Sequence, residues 1–328
     1  MQPTSRSQQV ATAEHTVPEI EAVRDGIWAL PMPLTRGRLP YSFAYAIADE
    51  AGGVHIVDPG SDSEDNWGAL RFALSTIGFR ARHVRSVVVS HMHPDHIGMA
   101  GRFTSRGVPL GLHRAEQEAL DETLRVGHDV DYSDRFERWG VPEHRRAELA
   151  RAIPTALVDA PPPPADVLLE DGDRLDIAGR DVRVMHVPGH TSGSLALVID
   201  DECLVMTGDT VLPTENPGIG LGGRSDSNPI ADYERSLARL AALGDYEVLP
   251  GHGFRFRGLA TRCAQLAAHH RSRGDQVRAA AEADPAATVW ELASRIEWTG
   301  GWENLHGATA FSAVGQTAMH RELLGAPS

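Results

Sequence analysis

The stretch SHMHPDHIGMAG, residues 90–101, constrains the fold more than any other segment. It follows an apolar run, VRSVVV, that has the pattern of a buried strand, and it carries ionisable groups at His91, His93, Asp95 and His96. Burying such groups together without partners costs on the order of several kcal/mol. The segment therefore predicts a metal site at the end of a strand.

Short apolar or alternating runs bounded by Gly and Pro predict strands in two parts of the chain. The first part contains GIWALPMPL, YSFAYAIAD, GVHIVDPG, VRSVVVS and GVPLGLH, and the second contains LLEDGDRLDIAG, DVRVMHVPG, SLALVID, ECLVMTGDT and YEVLPGHG. Helical spacing in SEDNWGALRFALSTIGF and YERSLARLAALG adds a helix to each part. VHIVDPG and LVMTGDT both end in an aspartate near a glycine. We therefore expect two β-rich halves that each deliver an acid to one edge.

The remaining segments predict the domain organisation. Residues 114–160 are polar and helix-prone and end near PPPP, so we expect them to form a helical insertion in a catalytic domain of residues 21–257. Residues 258–328 are rich in alanine and predict a small helical C-terminal domain. Residues 1–20 lack a long apolar run, and we expect a flexible N-terminal arm.

Charge and cysteine content limit the kinds of binding partner and the cellular compartment that we expect for this protein. The formal net charge of -14 makes nucleic acid a poor partner. The sequence contains neither a signal-peptide core nor eighteen consecutive apolar residues, so we expect no membrane association. Cys203 and Cys263 are the two cysteines, and their separation predicts neither a disulfide framework nor a metal pair. These features favour a soluble protein in the reducing cytoplasm.

Three further candidate ligands follow later strand-like runs. They are His190 in VPGHTSG, Asp209 in TGDT and His252 in PGHG. The neighbouring glycines allow the backbone to turn sharply there. Imidazoles and carboxylates without thiolates suit zinc, manganese or iron. Seven such ligands exceed what one tetrahedral ion uses, whereas two ions about 3.5–4 Å apart would use them all. We therefore predict two divalent ions, most simply zinc.

Asp58, in the segment VDPG, has two interpretations. Its side chain and its position before Pro59 are typical of a turn. The carboxylate is equally suited to accept a hydrogen bond from a ligand histidine and so to orient that ligand. The sequence leaves both interpretations open.

The motifs SHMHPDHIGMAG, PGHTSGS, TGDT and LPGHG, in this order after VDPG, resemble those of the metallo-β-lactamase superfamily over roughly residues 27–252. The resemblance implies an α+β fold, an αββα sandwich with two sheets face to face, helices outside and the metals at one edge. It also implies a distribution of the ligands over two ions: His91, His93 and His190 on the first, Asp95, His96 and His252 on the second, and Asp209 as the bridge.

The ligand set is similar to those of quorum-sensing lactonases and glyoxalase II. The segments after residue 228 resemble a bacterial group of these hydrolases that ends in a winged-helix-like domain. The last recognisable helix of that domain resembles TAMHRELLG, and the wing hairpin is absent or very short. We therefore expect the tail to pack or to form a homodimer rather than to bind DNA.

The leading functional hypothesis is hydrolysis of a small acyl substrate, namely an ester, a thioester or a lactone. Two ions would generate hydroxide at neutral pH and polarise the substrate carbonyl. Asp95 would accept the proton and pass it to the leaving group, and Asp209 would hold both ions. We expect the helical insertion and the loop ENPGIGLGGRSDSNP to form the pocket walls.

Three alternatives use the same fold. An iron-dependent sulfur dioxygenase would, by resemblance, hold one iron with His91, His190 and Asp209. A β-lactamase ranks lower, because the β-lactamases of this superfamily have Cys or Ser in place of Asp209. A nuclease also ranks lower, because it needs a basic track that an acidic chain does not favour.

Overall fold

A computed structural model of the chain describes residues 1–35, 39–127, 131–151, 160–225 and 227–325. Its strands are β1 (Gln2–Pro3), β2 (Glu21–Arg24), β3 (Ile27–Pro33), β4 (Tyr41–Ala48), β5 (Val54–Val57), β6 (Val84–Val88), β7 (Leu110–His113), β8 (Val167–Leu169), β9 (Val182–His186), β10 (Leu195–Ile199), β11 (Leu204–Gly208), β12 (Glu247–Pro250) and β13 (Phe256–Arg257). Its helices are α1 (Arg6–Glu14), α2 (Glu64–Thr76), α3 (Pro94–Ile97), α4 (Ala100–Thr104), α5 (Arg114–Val126), α6 (Ser133–Arg138), α7 (Glu143–Arg151), α8 (Pro229–Ala241), α9 (Leu259–Ala283), α10 (Val289–Ser294) and α11 (Gly307–Leu323). Short 3-10 turns lie at Ala81–His83, Asp200–Glu202 and Trp302–Asn304.

The strands form two mixed sheets. One has the order β2-β3-β4-β5-β6-β7-β8, and the other has the order β1-β13-β12-β11-β10-β9. In the first sheet β5 and β6 run parallel, with Val57 opposite Val88. In the second sheet β11 and β12 run parallel, with Met206 opposite Leu249. Parallel neighbouring strands end at the same edge of a sheet. The residues that follow β5 and β6 therefore lie at one edge of the first sheet, and those that follow β11 and β12 lie at one edge of the second.

The two sheets pack face to face. Their facing side chains form one buried apolar cluster, to which β3 and β4 contribute from one sheet and β9, β10 and β11 from the other. A second cluster lies between the seven-stranded sheet and α2, α4 and α5. A third lies between the six-stranded sheet and α8 and α9. The fold is therefore the αββα sandwich of the α+β class that the resemblance predicts.

Capping side chains explain where two of the outer helices begin. The hydroxyl of Ser63 accepts a hydrogen bond from the amide of Asn66 at 3.0 Å at the start of α2. The side chain of Asn228 accepts one from the amide of Ile230 at 3.0 Å, and Pro229 occupies the first turn of α8. Both helices were expected from their apolar spacing, and each covers the outer face of one sheet.

The amino terminus differs from the flexible arm predicted for residues 1–20. Strand β1 pairs with β13, with Pro3 opposite Phe256. In α1 the side chain of Gln8 is completely buried and accepts a hydrogen bond from the amide of Arg255 at 3.0 Å. Backbone pairing and a buried hydrogen bond thus hold a polar segment to the sandwich. The prediction was wrong because it relied on the lack of apolar runs.

The helical insertion, predicted for residues 114–160, contains α5, α6 and α7 among its described residues. Leu149 of α7 and Ala310 of α11 share one buried apolar cluster. The amide of Trp290 donates to the carbonyl of Trp139 at 2.8 Å. The insertion and the C-terminal helices therefore pack together beside the sandwich. Residues 258–325 contain no strand, and none of the described helices has the length and apolar character needed to span a membrane.

Candidate metal centre

The side chains that the sequence singled out as ligands lie together at one edge of the sandwich. They form three overlapping groups: His91, His93 and His190; His91, His96 and Asp209; and Asp95, His96 and His252. Within each group the candidate ligand atoms lie within 4.8 Å of one another. Residues that are up to 161 positions apart in the sequence thus form one site.

The first group is compact. Nε2 of His91 lies 3.0 Å from Nδ1 of His93, and Nε2 of His190 lies 3.1 Å from the same nitrogen. Nitrogen atoms bound tetrahedrally to zinc at ~2.0–2.1 Å lie roughly 3.3 Å apart. The spacing of these three nitrogens is therefore close to what a single tetrahedral ion requires.

Asp209 lies between this group and the one formed by Asp95, His96 and His252. In that group, Oδ2 of Asp95 lies 3.2 Å from Nε2 of His252 and 3.8 Å from Nε2 of His96. Oδ1 of Asp209 lies 3.5 Å from Nε2 of His96. Its Oδ2 lies 3.4 Å from Nε2 of His252 and 3.9 Å from Nε2 of His190. The carboxylate of Asp209 therefore faces both groups.

Backbone carbonyls set the tautomers of three of these histidines. Each donates one ring N–H to a carbonyl: His190 Nδ1 to Gly218 at 2.7 Å, His252 Nδ1 to Tyr41 at 2.7 Å and His93 Nε2 to Leu221 at 3.1 Å. Since a carbonyl can only accept, the other ring nitrogen presents its lone pair to the centre. Sequence reasoning missed these carbonyls because every residue carries one.

Asp58 orients the other two histidines. Its Oδ2 accepts hydrogen bonds from Nδ1 of His96 at 2.9 Å and from the hydroxyl of Ser90 at 2.7 Å. The oxygen of Ser90 in turn lies 3.0 Å from Nδ1 of His91 and can accept its proton. Asp58 also has a φ of +53°, in the left-handed region that turns use. Asp58 thus has the backbone conformation of a turn residue and also the side-chain contacts that orient a ligand histidine.

The carboxylates control the charge of the histidines. Burial lowers the pKa of His96, but the carboxylates of Asp209 and Asp95 outweigh this and raise it to about 9. Burial and the neighbouring imidazoles lower the pKa of His190 to about 4. Burial also opposes ionisation of both aspartates, yet His96 and His252 hold their pKa values below the usual range. The half of the centre around the two carboxylates therefore attracts positive charge.

Two enclosed atoms of the candidate ligands have no hydrogen-bond partner among the described residues, namely Nε2 of His96 and Oδ1 of Asp209. Buried polar atoms are normally paired, so such atoms need an explanation. A Cβ at Gly251 would collide with the carboxylate of Asp209 and the ring of His96, so this glycine keeps the space between them open. Free lone pairs, unpaired atoms and this open space together fit a divalent cation.

Glu116, in the first turn of α5, is a functional residue that the sequence did not reveal. Its side chain is completely buried, and its two oxygens accept hydrogen bonds from the amides of Met92 and Gly193, each at 2.7 Å. It therefore ties the loop of His91 to the loop of His190. In the sequence it looks like any other helical glutamate, and only the fold brings it to these amides.

A cavity of about 1290 Å³ opens beside His93 and Asp95. Its walls come from α5, from the loop of residues 216–224, and from α9 and α11. The helical insertion and the glycine-rich loop are thus both in the walls, where we expected them. The cavity is large enough for an elongated substrate.

An αββα sandwich with a histidine-aspartate centre at its edge is suited to metal-dependent catalysis. Residues 37–252 match the family model described as the metallo-beta-lactamase superfamily. The chain belongs to the metallo-beta-lactamase superfamily and is an enzyme of the hydrolase class.

Relatives and solved structures agree with this assignment. The chain is 23% identical to the probable metallo-hydrolase YqjP of Bacillus subtilis over 88% of this chain and 91% of that protein. It is 31% identical to the human acyl-coenzyme A thioesterase MBLAC2 over 59% of this chain and 64% of that protein. The structure of the metallo-beta-lactamase family protein TTHA1429 from Thermus thermophilus matches with a TM-score of 0.75 and 29% identity, over 93% of this chain and 94% of that one.

Proposed function

We propose that this enzyme hydrolyses an acyl thioester, or a related ester or lactone, with two divalent ions held at the candidate metal centre. The observation that carries the proposal is the hydrogen bonding of the histidines. Each histidine has one ring nitrogen held from outside the centre, so its other nitrogen is free, and the carboxylate of Asp209 faces His190 on one side and His96 and His252 on the other. Such an arrangement suits two ions better than one.

The residues divide between the ions as the resemblance implies. His91, His93 and His190 would hold the first ion, Asp95, His96 and His252 the second, and Asp209 both. The ligand types suit zinc, with iron or manganese as alternatives. When bound, such ions supply hydroxide at neutral pH and polarise a carbonyl oxygen.

Asp95 has the geometry of a proton carrier. Its side chain is 28% exposed and lines the cavity, while His96 and His252 keep its pKa low despite burial. The carboxylate is therefore ionised at neutral pH and can take a proton from the attacking group and return it to the leaving group. The cavity lining contains no cysteine among the described residues, so a cysteine nucleophile has no support.

A thioester is the favoured substrate class. The human and bovine relatives of 31% identity are acyl-coenzyme A thioesterases. A thiolate is a good leaving group, and the large cavity has room for a sizeable thiol portion as well as the acyl group. The two free cysteines are consistent with a reducing compartment such as the cytoplasm.

The test is a panel of substrates on protein with measured metal content. We expect two zinc, iron or manganese ions per chain and hydrolysis of thioesters ahead of aryl esters, lactones and a β-lactam. One iron per chain with oxygen uptake on a persulfide would instead identify a sulfur dioxygenase. Two bound ions without hydrolysis of any acyl compound would contradict the proposal.

A further inference from the structure

The cavity extends well beyond the metal centre. At one end it is lined by His93 and Asp95, and at the other by Arg273 and Trp298. The glycine-rich loop connects the two ends, because the carbonyl of Gly218 contacts His190 whereas Asn216 lies 3.5 Å from His269 of α9. Arg273 is one helical turn after His269, ~6 Å further along the helix.

Arg273 is a buried cation that has no carboxylate partner among the described residues. The residue is 7% exposed, and burial lowers its pKa to about 10 with no opposing contribution from an acid. Its guanidinium lies over the ring of Trp298, 3.9 Å from the centroid. Among the described residues it donates one hydrogen bond, from Nη2 to the carbonyl of Glu297 at 3.3 Å.

A buried guanidinium without a carboxylate partner lowers the stability of the fold unless an anion binds it. A guanidinium carries five N–H donors, and burial of an unpaired charge destabilises a fold. Arg273 lines the cavity, and none of its nitrogens is among the fully enclosed atoms without a partner. Stacking on Trp298 fixes the plane of the guanidinium and leaves its edge free for an anion.

The side chains beside Arg273 also suit an anion. His269, Asn216 and Gln316 also line the cavity, and the latter two carry amide donors, of which Gln316 gives one N–H to the hydroxyl of Ser312 at 3.1 Å. The lining glutamates lie on α5 instead, and one of them, Glu122, is paired with Arg125 at 2.6 Å.

The rest of the lining gives the direction of the substrate. Next to the metal centre the cavity is lined by apolar residues such as Met92, Ala119 and Leu221. An acyl chain fits this apolar part, with its carbonyl at the metals. The leaving portion of the substrate would then extend along the glycine-rich loop towards Arg273.

We propose that Arg273, with His269, Asn216 and Gln316, forms a subsite for an anionic group, a phosphate or a carboxylate, carried by the thiol portion of an acyl thioester. The inference rests on the proposed thioester hydrolysis and specifies its substrate class. Arg273 binds the charged end of the substrate while the acyl group lies at the metal centre.

Three thioesters with the same acyl group test the subsite in the metal-loaded enzyme. Butyryl-coenzyme A carries phosphates, S-butyrylglutathione carries carboxylates, and S-butyryl-N-acetylcysteamine is uncharged. Arg273→Met should raise KM about 10- to 100-fold for at least one charged thioester, because it loses charged hydrogen bonds. The kcat and the kinetics of the uncharged thioester should change little, and Arg273→Lys should restore part of the loss. Which charged thioester is affected distinguishes a phosphate from a carboxylate.

Arg278→Met is the matched control. Arg278 lies on the same helix but is 54% exposed and paired with Asp275 at 2.9 Å. This variant should behave like the unchanged enzyme with all three thioesters. An equal effect of Arg273→Met on the charged and uncharged thioesters would show a structural role and overturn the proposal. Unchanged kinetics with all three would overturn it as well.

Binding measured without turnover separates this inference from the proposed function. S-methyl coenzyme A and S-methylglutathione carry the same charged groups but no thioester. Calorimetry on the metal-loaded enzyme should show binding of at least one of them, weakened about tenfold or more in Arg273→Met. Equal affinity in both proteins, or no binding to either, would overturn the subsite. Intact binding without hydrolysis of any acyl compound would overturn the proposed function alone. Arg273→Met should keep its Tm or raise it, since it replaces a buried charge with an apolar group of similar size.

Discussion

Two groups of buried histidines in this molecule differ in the carboxylates and hydrogen-bond acceptors around them. At the metal centre, Asp209 and Asp95 raise the pKa of His96 to about 9 against the effect of burial. Between α9 and α11, His270 and His320 are equally buried, with ring centroids 6.3 Å apart. Burial and positive neighbours lower their pKa values to about 3 and about 4.

Both groups contain enclosed nitrogens that lack a partner in the part of the chain that the structure describes, so unpaired atoms alone do not define a metal site. Nε2 of His96 is such an atom, and so are both ring nitrogens of His270 and Nε2 of His320. Only the first group combines these atoms with ionised carboxylates and with histidines whose other nitrogen is held by an acceptor. Buried imidazoles can bind a cation when carboxylates lie beside them and hydrogen bonds fix their tautomers. Burial alone only keeps them neutral.

Removing the shared carboxylate should have the largest effect. We expect Asp209→Ala to lower turnover by more than about 1,000-fold, since the loss of ion-mediated stabilisation amounts to several kcal/mol. Metal content should fall below two ions per chain while circular dichroism stays unchanged. Asp201→Ala alters an exposed acid at the opposite end of β11 and should be neutral. Full activity of Asp209→Ala would show that the carboxylate beside the histidines is not needed for the function of the centre.

Asp58→Asn separates the two roles of Asp58. Asparagine tolerates the left-handed backbone, so the turn should persist. The asparagine side chain has only one oxygen that can accept hydrogen bonds, so the hydrogen bonds that hold His96 and Ser90 should weaken. We expect metal affinity to fall about 10- to 100-fold, measured by competition with a chelator.

Asp62→Asn is the control for this variant. Asp62 is 45% exposed and pairs with Arg102, so metal affinity should not change. Unaltered metal affinity in Asp58→Asn would leave only the turn as the role of Asp58.

Glu116→Gln tests whether a buried acid outside the centre supports its loops. The amide nitrogen of glutamine would face one of the two backbone amides, which would lose its acceptor. We expect the free energy of unfolding to fall by about 1–3 kcal/mol in denaturant titrations. Asp121→Asn, exposed on the same helix, should cost much less. An equal loss of unfolding free energy in both variants would show that Glu116 does not stabilise the two ligand loops.

The smallest effect concerns the histidines without carboxylates. The unfolded chain protonates histidine below pH about 6.5, whereas His320 in the folded protein has a pKa of about 4. The unfolded state therefore binds more protons in this range, and stability falls as the pH drops from about 6.5 towards 4. In His320→Gln this loss should be smaller, by on the order of 1 kcal/mol. His144→Gln, exposed on α7, should lose stability as the unchanged protein does. Identical acid sensitivity of His320→Gln and the unchanged protein would contradict the expectation.

Much of the sandwich and of the candidate centre could be predicted from local patterns. Apolar runs bounded by Gly and Pro identify strands such as β6 and β11. Polar ligands directly after such runs, as at His91 and Asp209, must lie at a sheet edge. These predictions depend on neighbouring residues only, so they need no knowledge of long-range contacts.

The N-terminal segment could not be predicted in this way. Its hold on the sandwich depends on pairing between Pro3 and Phe256 and on the contact of Gln8 with Arg255. These partners are more than two hundred residues apart in the sequence. No local pattern distinguishes a polar segment that finds such partners from one that stays free.

The sequence by itself determined the two β-rich halves and the candidate ligand side chains with their chemical type, because periodicity and residue type are local properties, and the resemblance of its motifs implied the αββα class. Only the tertiary structure decided which ring nitrogens face the centre, that Glu116 joins two ligand loops, and that Arg273 shares a cavity with the metal centre. These features depend on distances between segments remote in sequence. Such distances arise when the sheets and the helical layer pack, and they decide where the substrate can lie.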